Sequence, residues 1–247
     1  AIEAAYALRE RAGVAPEQPL PDIVRVAEEA AGTAVAVLKL PSGVAGAYLV
    51  RRGVPFVFVN AGEPVVRQRF TLAHEVGHHE LGHEAVLDGA EEIEGRSKDP
   101  REQQANLFAG VLLAPEEAML AWLEDEGDPD ITVPVLASLA SWLGISGPAA
   151  LVRLQQEDIL QKPSQADRLK RELDRGAHLA AIKSYGIPQV EDELARVDAE
   201  GRPRLPAALR DNALAAYAAG LIDLDGLAGA LRRPREEVER LVAECGI

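Results

Sequence analysis

Residues 70–83 of the chain read FTLAHEVGHHELGH. Four of the five histidines, His74, His78, His79 and His83, fall within this stretch, and the fifth is His178. Val66, Phe70, Ala73 and Leu81 recur at near-helical spacing, which predicts a helix here. His74 and His78 are separated by about one helical turn, so both imidazoles lie on one side and can share a metal. Glu75 follows His74 and projects beside the pair, within reach of a water that such a metal would activate. That placement suits a general base for hydrolysis. A metal is needed because bulk water is a poor nucleophile, whereas zinc lowers the pKa of its water to ~7 and polarises a scissile carbonyl.

A catalytic zinc takes three protein ligands and keeps one position open. The extended HExxHxxGxxH pattern fails here, since the sixth residue past His78 is Glu84. His83 comes five residues after His78, about 140° around a continuing helix, and is expected to point elsewhere. His79 and His83 read as polar outer-face residues or as supports of the ligands rather than as a second metal pair. The better third ligand lies in residues 101–115, REQQANLFAGVLLAP, an apolar helix stopped near Pro115. If it packs against the HExxH helix, Glu102 in its first turn can face the metal, and Asn106 one turn on can hydrogen-bond a ligand. The other reading of Glu102 is a helix N-terminal acid favoured by the dipole, and spacing alone leaves both open. A non-haem iron site uses two histidines and a carboxylate as well, but the additional Glu75 fits hydrolysis better.

Working outward, the first thirty residues read helical. PDIVRVAEEAAG puts Ile23, Val26, Ala27 and Ala30 on one face and stops at Gly32. TAVAVLKL, GAYLVRR and PFVFVN read as three strands, the last two forming a hairpin about Arg52 and Gly53. Pro55 suits a strand start or an edge. Residues 84–100 are acidic and polar and read as a mobile loop. AMLAWLEDEGDPD is a further helix. Residues 131–160 and 205–247 each resemble a helix-turn-helix unit. A boundary near residue 162 separates a domain of residues 1–162, which includes the first unit, from a C-terminal docking or regulatory domain of residues 163–247.

The chain has 247 residues, of which 47% are hydrophobic. A single body of this size buries roughly 70% of its unfolded surface, enough for a core without disulfide staples. Twenty-six basic residues stand against 40 acidic ones, a net charge of −14. That argues against a general nucleic-acid or anionic-membrane surface. The first helix-turn-helix unit offers only Arg153 and Lys162, and in the second the Arg232–Arg235 cluster is the candidate patch. The expectation is weak, salt-sensitive DNA binding at most, with Trp122 and Trp142 in the core or at an interface. The single cysteine, Cys245, permits neither a disulfide framework nor a cysteine zinc site, which points to a cytoplasmic protein. No apolar run approaches the ~20 residues of a membrane span, and AIEAAYALRERAG lacks a signal layout. Nothing in the sequence places His178 or Tyr185.

FTLAHEVGHHELGH followed by REQQANLFAGVLLAP resembles the ImmA/IrrE family of metallopeptidases, over roughly residues 20–160. The preceding strand ending in Val59-Asn60 and the Arg67-Gln68-Arg69-Phe70 approach to the helix are similar as well. The resemblance implies an α+β fold: a zincin-like domain with a small antiparallel-containing sheet and an HExxH helix, then a helix-turn-helix-like and mainly helical C-terminal region. It makes Glu102 the third ligand of a Zn2+ ion, with His74 and His78, beside a catalytic Glu75. It implies a zinc endopeptidase that makes limited, site-specific cuts in a helix-turn-helix transcriptional repressor, derepressing its genes in a stress response. The substrate is expected to lie extended along the free edge of a strand among residues 47–60, with the C-terminal region docking the repressor. The competing reading is a metal-sensing regulatory protein that binds DNA or a partner through its helix-turn-helix units. Glu75 separates the two, since a structural site has no use for a base beside its ligands.

Overall fold

In the computed structural model, which describes residues 1–84, 86–89, 97–189, 194 and 204–246, two short helices lead into a small sheet. Helix α1 is Ile2–Arg11. Helix α2, Ile23–Arg25, is capped by Asp22, whose carboxylate accepts from the N–H groups of Val24 and Arg25, each at 3.0 Å. It widens into a π turn, Val26–Ala30, a looser winding than the periodicity predicts, yet Ile23, Val26 and Ala27 are buried as expected.

The three expected strands form: β1 (Ala34–Leu38), β2 (Val44–Arg51) and β3 (Val54–Asn60). Arg52 and Gly53 both take positive φ, 53° and 80°, between the paired Arg51 and Val54. This two-residue turn matches the twist of the hairpin it closes. Strand β3 is interior, but its pairing with β1 begins only at Phe56, so Pro55 removes no bond from that ladder. One expectation is corrected. Part of the stretch read as a loop is a fourth strand, β4 (Val86–Gly89), antiparallel to β2. Residues 85 and 90–96 of that stretch lie outside the described residues.

Strand order among the described residues is β1-β3-β2-β4. The expected substrate platform within residues 47–60 is therefore largely covered: among the described residues β4 pairs with β2 as far as Tyr48 and β1 pairs with β3 from Phe56 on, which leaves only residues 49–51 and 54–55 without a second neighbouring strand. The outer edge of β1 carries an antiparallel bridge in which Val37 and Arg204 exchange hydrogen bonds of 3.0 and 2.9 Å. Strand β4 is the other terminal strand.

Helix α3 (Val65–Glu80) lies on β2 and β3, and α4 (Pro100–Leu113) packs on α3. Val35, Val57, Leu72, Val76, Phe108 and Leu112 are fully buried between them. Helix α5 (Glu116–Asp125) follows closely. The run Pro100–Asp125 is long and apolar enough by composition to cross a membrane, but 56% of its most apolar window is buried inside the molecule, as in a core helix. Helices α6 (Val133–Leu143) and α7 (Gly147–Gln156) meet at 94°, the bend of the expected helix-turn-helix unit.

The fully buried Arg69 occupies that corner. Its Nε donates to the Gly144 carbonyl at 2.9 Å and its Nη2 to Leu20 at 2.6 Å, so α3, the first loop and the corner share one guanidinium. Arg153 is buried too, and its Nε donates to the Ala114 carbonyl at 3.0 Å. Helices α8 (Pro163–Asp174) and α9 (Ala177–Tyr185) add Leu169, Leu173 and Ala181 to the same apolar cluster. A boundary drawn near residue 162 thus passes through continuous core. Trp122 packs on this core, whereas Trp142 is partly exposed.

A separate small cluster, including Leu227, Leu231 and Val238, holds α10 (Ala207–Ala218), α11 (Leu224–Leu231) and α12 (Arg235–Cys245) together. Just ahead of it, Arg204 bonds to the sheet and the π turn: its Nη1 donates to the Val35 carbonyl of β1 at 2.9 Å and its Nη2 pairs with Glu28 at 2.8 Å. The side chain of Cys245 is outside the described residues.

Gly144 combines φ +69° with a neighbour that leaves no room, since a Cβ there would lie 2.7 Å from Arg69 Nε. Gly127 has φ +79° and open space. Gly144→Ala therefore loses about 2–4 kcal/mol by chemical denaturation, from left-handed strain plus overpacking, while Gly127→Ala loses only about 1–2 kcal/mol. Equal losses would mean that Arg69 moves aside without cost.

Candidate metal centre

The middle of α3 is enclosed, and His74, Glu75 and His78 are fully buried. Two missing side chains make this possible. A Cβ on Gly77 would lie 2.9 Å from Phe108 Cδ1, so the absence of one lets α4 settle on α3. A Cβ on Gly46 of β2 would lie 2.6 Å from Thr71 Cγ2 and would press on Glu75 Oε1, so the strand passes closely over the glutamate because it has none.

Helix α4 brings the third group. Asp99 caps it by accepting from the Arg101 N–H at 2.9 Å, with Pro100 in the first turn. Hydrogen bonds from the Arg101 side chain and backbone hold the Asp99 carboxyl down to about 2, so the cap stays ionised in all but strong acid. Glu102 sits in this first turn, as a dipole-favoured acid would, yet it is buried against α3. The two readings of Glu102 are one arrangement.

His74 Nε2 lies 3.0 Å from His78 Nε2 and 3.2 Å from Glu102 Oε2, and His78 Nε2 lies 3.6 Å from the same carboxylate oxygen. Four ligands placed tetrahedrally at 2.0–2.1 Å are roughly 3.3 Å apart. The three separations bracket that figure. His74 Nδ1–H donates to Asn106 Oδ1 at 3.1 Å, which turns the His74 Nε2 lone pair inward, the support expected of Asn106. Acceptors gathered this closely away from water repel unless a cation or a shared proton lies among them. The donor set fits a divalent metal. Among the described residues, His74, His78 and Glu102 are the group that gathers in this way.

The other histidines separate. His83 does not point away from the site, because the helix ends first. Glu80 is its last residue and Leu81 its C-cap, Gly82 takes φ +69°, and the chain doubles back to set His83 Nδ1 2.9 Å from His78 Nδ1. Of the two readings given to His79 and His83, support of a ligand fits His83. His79 turns to the sheet instead, with its Nδ1 3.1 Å from the Tyr48 hydroxyl, whose pKa burial raises. Gly46, Gln104 and Tyr48 escape a sequence reading because only tertiary contact connects them to the site. The Gly82 after a helical run was the available signal for His83. His178 lies beside Gly147, where burial lowers its pKa, and Tyr185 is exposed.

A helix carrying His-Glu-x-x-His on a small mixed sheet, with a carboxylate from the next core helix, defines a zincin-like metallopeptidase architecture. Residues 28–155, more than half of the chain, match the IrrE N-terminal-like domain of the M78 peptidases, and the chain belongs to that family, the ImmA/IrrE metallopeptidases. No curated protein matches the chain.

Gly77→Ala forces Phe108 and α4 away from α3. The expected cost is about 1–3 kcal/mol of stability, accompanied by weaker metal binding, because Glu102 rides on α4. Thermal unfolding and metal titration of the one variant check both, and unchanged metal affinity would show that α4 does not set the Glu102 position.

Proposed function

We propose that the chain is a zinc-dependent endopeptidase in which His74, His78 and Glu102 hold the metal and Glu75 is the catalytic base. The convergence of three donor atoms beside a buried glutamate, within a domain of a metallopeptidase family, carries this reading. Bound there, Zn2+ would lower the pKa of a water to about 7 and polarise the scissile carbonyl. The protein's own part falls to Glu75. Its carboxylate takes the proton of the attacking water and delivers it to the departing amine as the peptide bond breaks. Asn106 keeps His74 in the tautomer that binds, and the glycine at 46 keeps the strand clear of the base.

The proposed substrate is a helix-turn-helix transcriptional repressor, cut at one site in the cytoplasm so that its genes are released. An extended segment adds to the outer edge of β4, the terminal strand paired to β2, by backbone hydrogen bonding. That mode discriminates weakly between sequences, so selection rests on docking by residues 207–246, whose small core is separate from the main one.

The competing reading as a DNA-binding regulator has less support. Arg153, in the first helix-turn-helix pair, is buried and bonded internally. Arg235, in the second, is paired with Asp225 at 2.6 Å and Glu239 at 3.1 Å. Arg153 is thus withheld from phosphates, and Arg235 is engaged in surface ion pairs, while Arg232 and Arg233 of the same cluster are exposed.

Glu102→Ala weakens zinc binding sharply in a chelator competition, and full occupancy in that variant would remove Glu102 from the ligand set. Glu75→Gln keeps the metal and lowers cleavage roughly 10²–10⁴-fold, because the amide cannot accept the proton. A Glu75→Gln protein that cuts normally would end the hydrolase reading.

Removal of residues 207–247 leaves the main apolar cluster whole, as a cut at residue 163 would not. It is expected to slow cleavage of the repressor far more than cleavage of a short peptide holding the same bond. Parallel losses on the two substrates would sink the docking idea.

A further inference from the structure

We propose that His83 is a positioning residue for the metal site, holding His78 in the tautomer that turns its Nε2 lone pair inward, and that Gln104 on α4 sets this arrangement. The inference rests on the metal reading of His74, His78 and Glu102.

The backbone puts His83 there. Its N–H donates to the His78 carbonyl at 2.9 Å, and the Gly82 N–H donates to the His79 carbonyl at 3.1 Å. These are the two bonds of the glycine-terminated helix end, in which the residue after the glycine folds back onto the side chain five positions earlier. That contact is commonly apolar. Here it joins two imidazoles edge to face, with centroids 5.0 Å apart.

The protons then follow from the partners. Gln104 Oε1 only accepts, and it lies 3.3 Å from His83 Nε2, so that nitrogen carries the hydrogen. A neutral His83 then presents a lone pair at Nδ1, 2.9 Å from His78 Nδ1, which must donate. Nε2 of His78 is left with its lone pair, 3.0 Å from His74 Nε2 and 3.6 Å from Glu102 Oε2. His74 reaches the same state directly through Asn106. Helix α4 thus supplies Glu102 and, two and four residues on, the acceptors that orient both histidines. A ligating imidazole whose other nitrogen is held in this way is better oriented and more basic.

The test uses the full-length protein and zinc, with affinity read by competition against a chromogenic chelator. His83→Ala is expected to bind zinc roughly 10–100-fold more weakly, with unchanged melting of the zinc-free protein. His83→Asn places an acceptor oxygen where Nδ1 stood and recovers most of the loss. In the wild-type zinc protein, a long-range 1H–15N spectrum shows His83 protonated at Nε2 and His78 at Nδ1. His83→Ala binding as tightly as wild type, His83→Asn as weak as His83→Ala, or the opposite tautomer in either ring overturns the proposal. Failure of the wild-type protein itself to bind zinc would instead remove the metal reading beneath it.

Discussion

Two imidazole nitrogens and a carboxylate oxygen face one another at 3.0–3.6 Å in the dry middle of the molecule. Such a set is unfavourable by itself, because each acceptor loses water and faces other lone pairs instead of a donor. Much of the surrounding structure serves to hold it. Sheet and α3 enclose the histidines, and α4 must come close enough to deliver Glu102. That approach depends on Gly77, which leaves room for the Phe108 ring. The glycine inside HEVGH is therefore as necessary to the site as the residues around it.

The buried arginines serve the same end at longer range. Arg69 sits five residues before His74 and bonds to carbonyls of the first loop and the α6–α7 corner. Arg9 reaches from α1 to the Leu112 carbonyl at 2.6 Å, near the end of α4. Arg153 bonds to Ala114, just past that end. Helix-terminal carbonyls lack partners within their own helix, and a guanidinium with five fixed donors satisfies several acceptors at once. Helices α3 and α4 are thus anchored by neighbours that make no contribution to the chemistry. The helix-turn-helix-like pair α6–α7 contributes to the same packing, with Leu136, Leu139, Leu143, Leu151 and Leu154 in the main core.

The sheet contributes an edge and a clearance. Placing β4 outside β2 covers that strand's edge as far as Tyr48 and makes β4 the terminal strand there. The register shift between Val44 and Gly46 falls where β2 passes over Glu75. Irregular pairing at this point is consistent with a strand shaped around the group beneath it.

What the sequence by itself determined is local. A four-residue spacing puts two histidines on one helix face whatever the surroundings, alternating β-branched runs make strands, and Arg52-Gly53 makes the hairpin, because each follows from backbone period and turn chemistry. Only the tertiary structure shows that the two readings of Glu102 coincide, since a first-turn acid gains from the dipole whether or not it faces a metal. It added β4, whose short run carries too little periodicity to stand out from an acidic stretch. It carried the core past residue 162, because apolar faces on α8 and α9 do not reveal which cluster they join. It also turned His83 back toward the site. A periodic projection assumes that the helix continues, whereas a left-handed glycine ends it and reverses the chain.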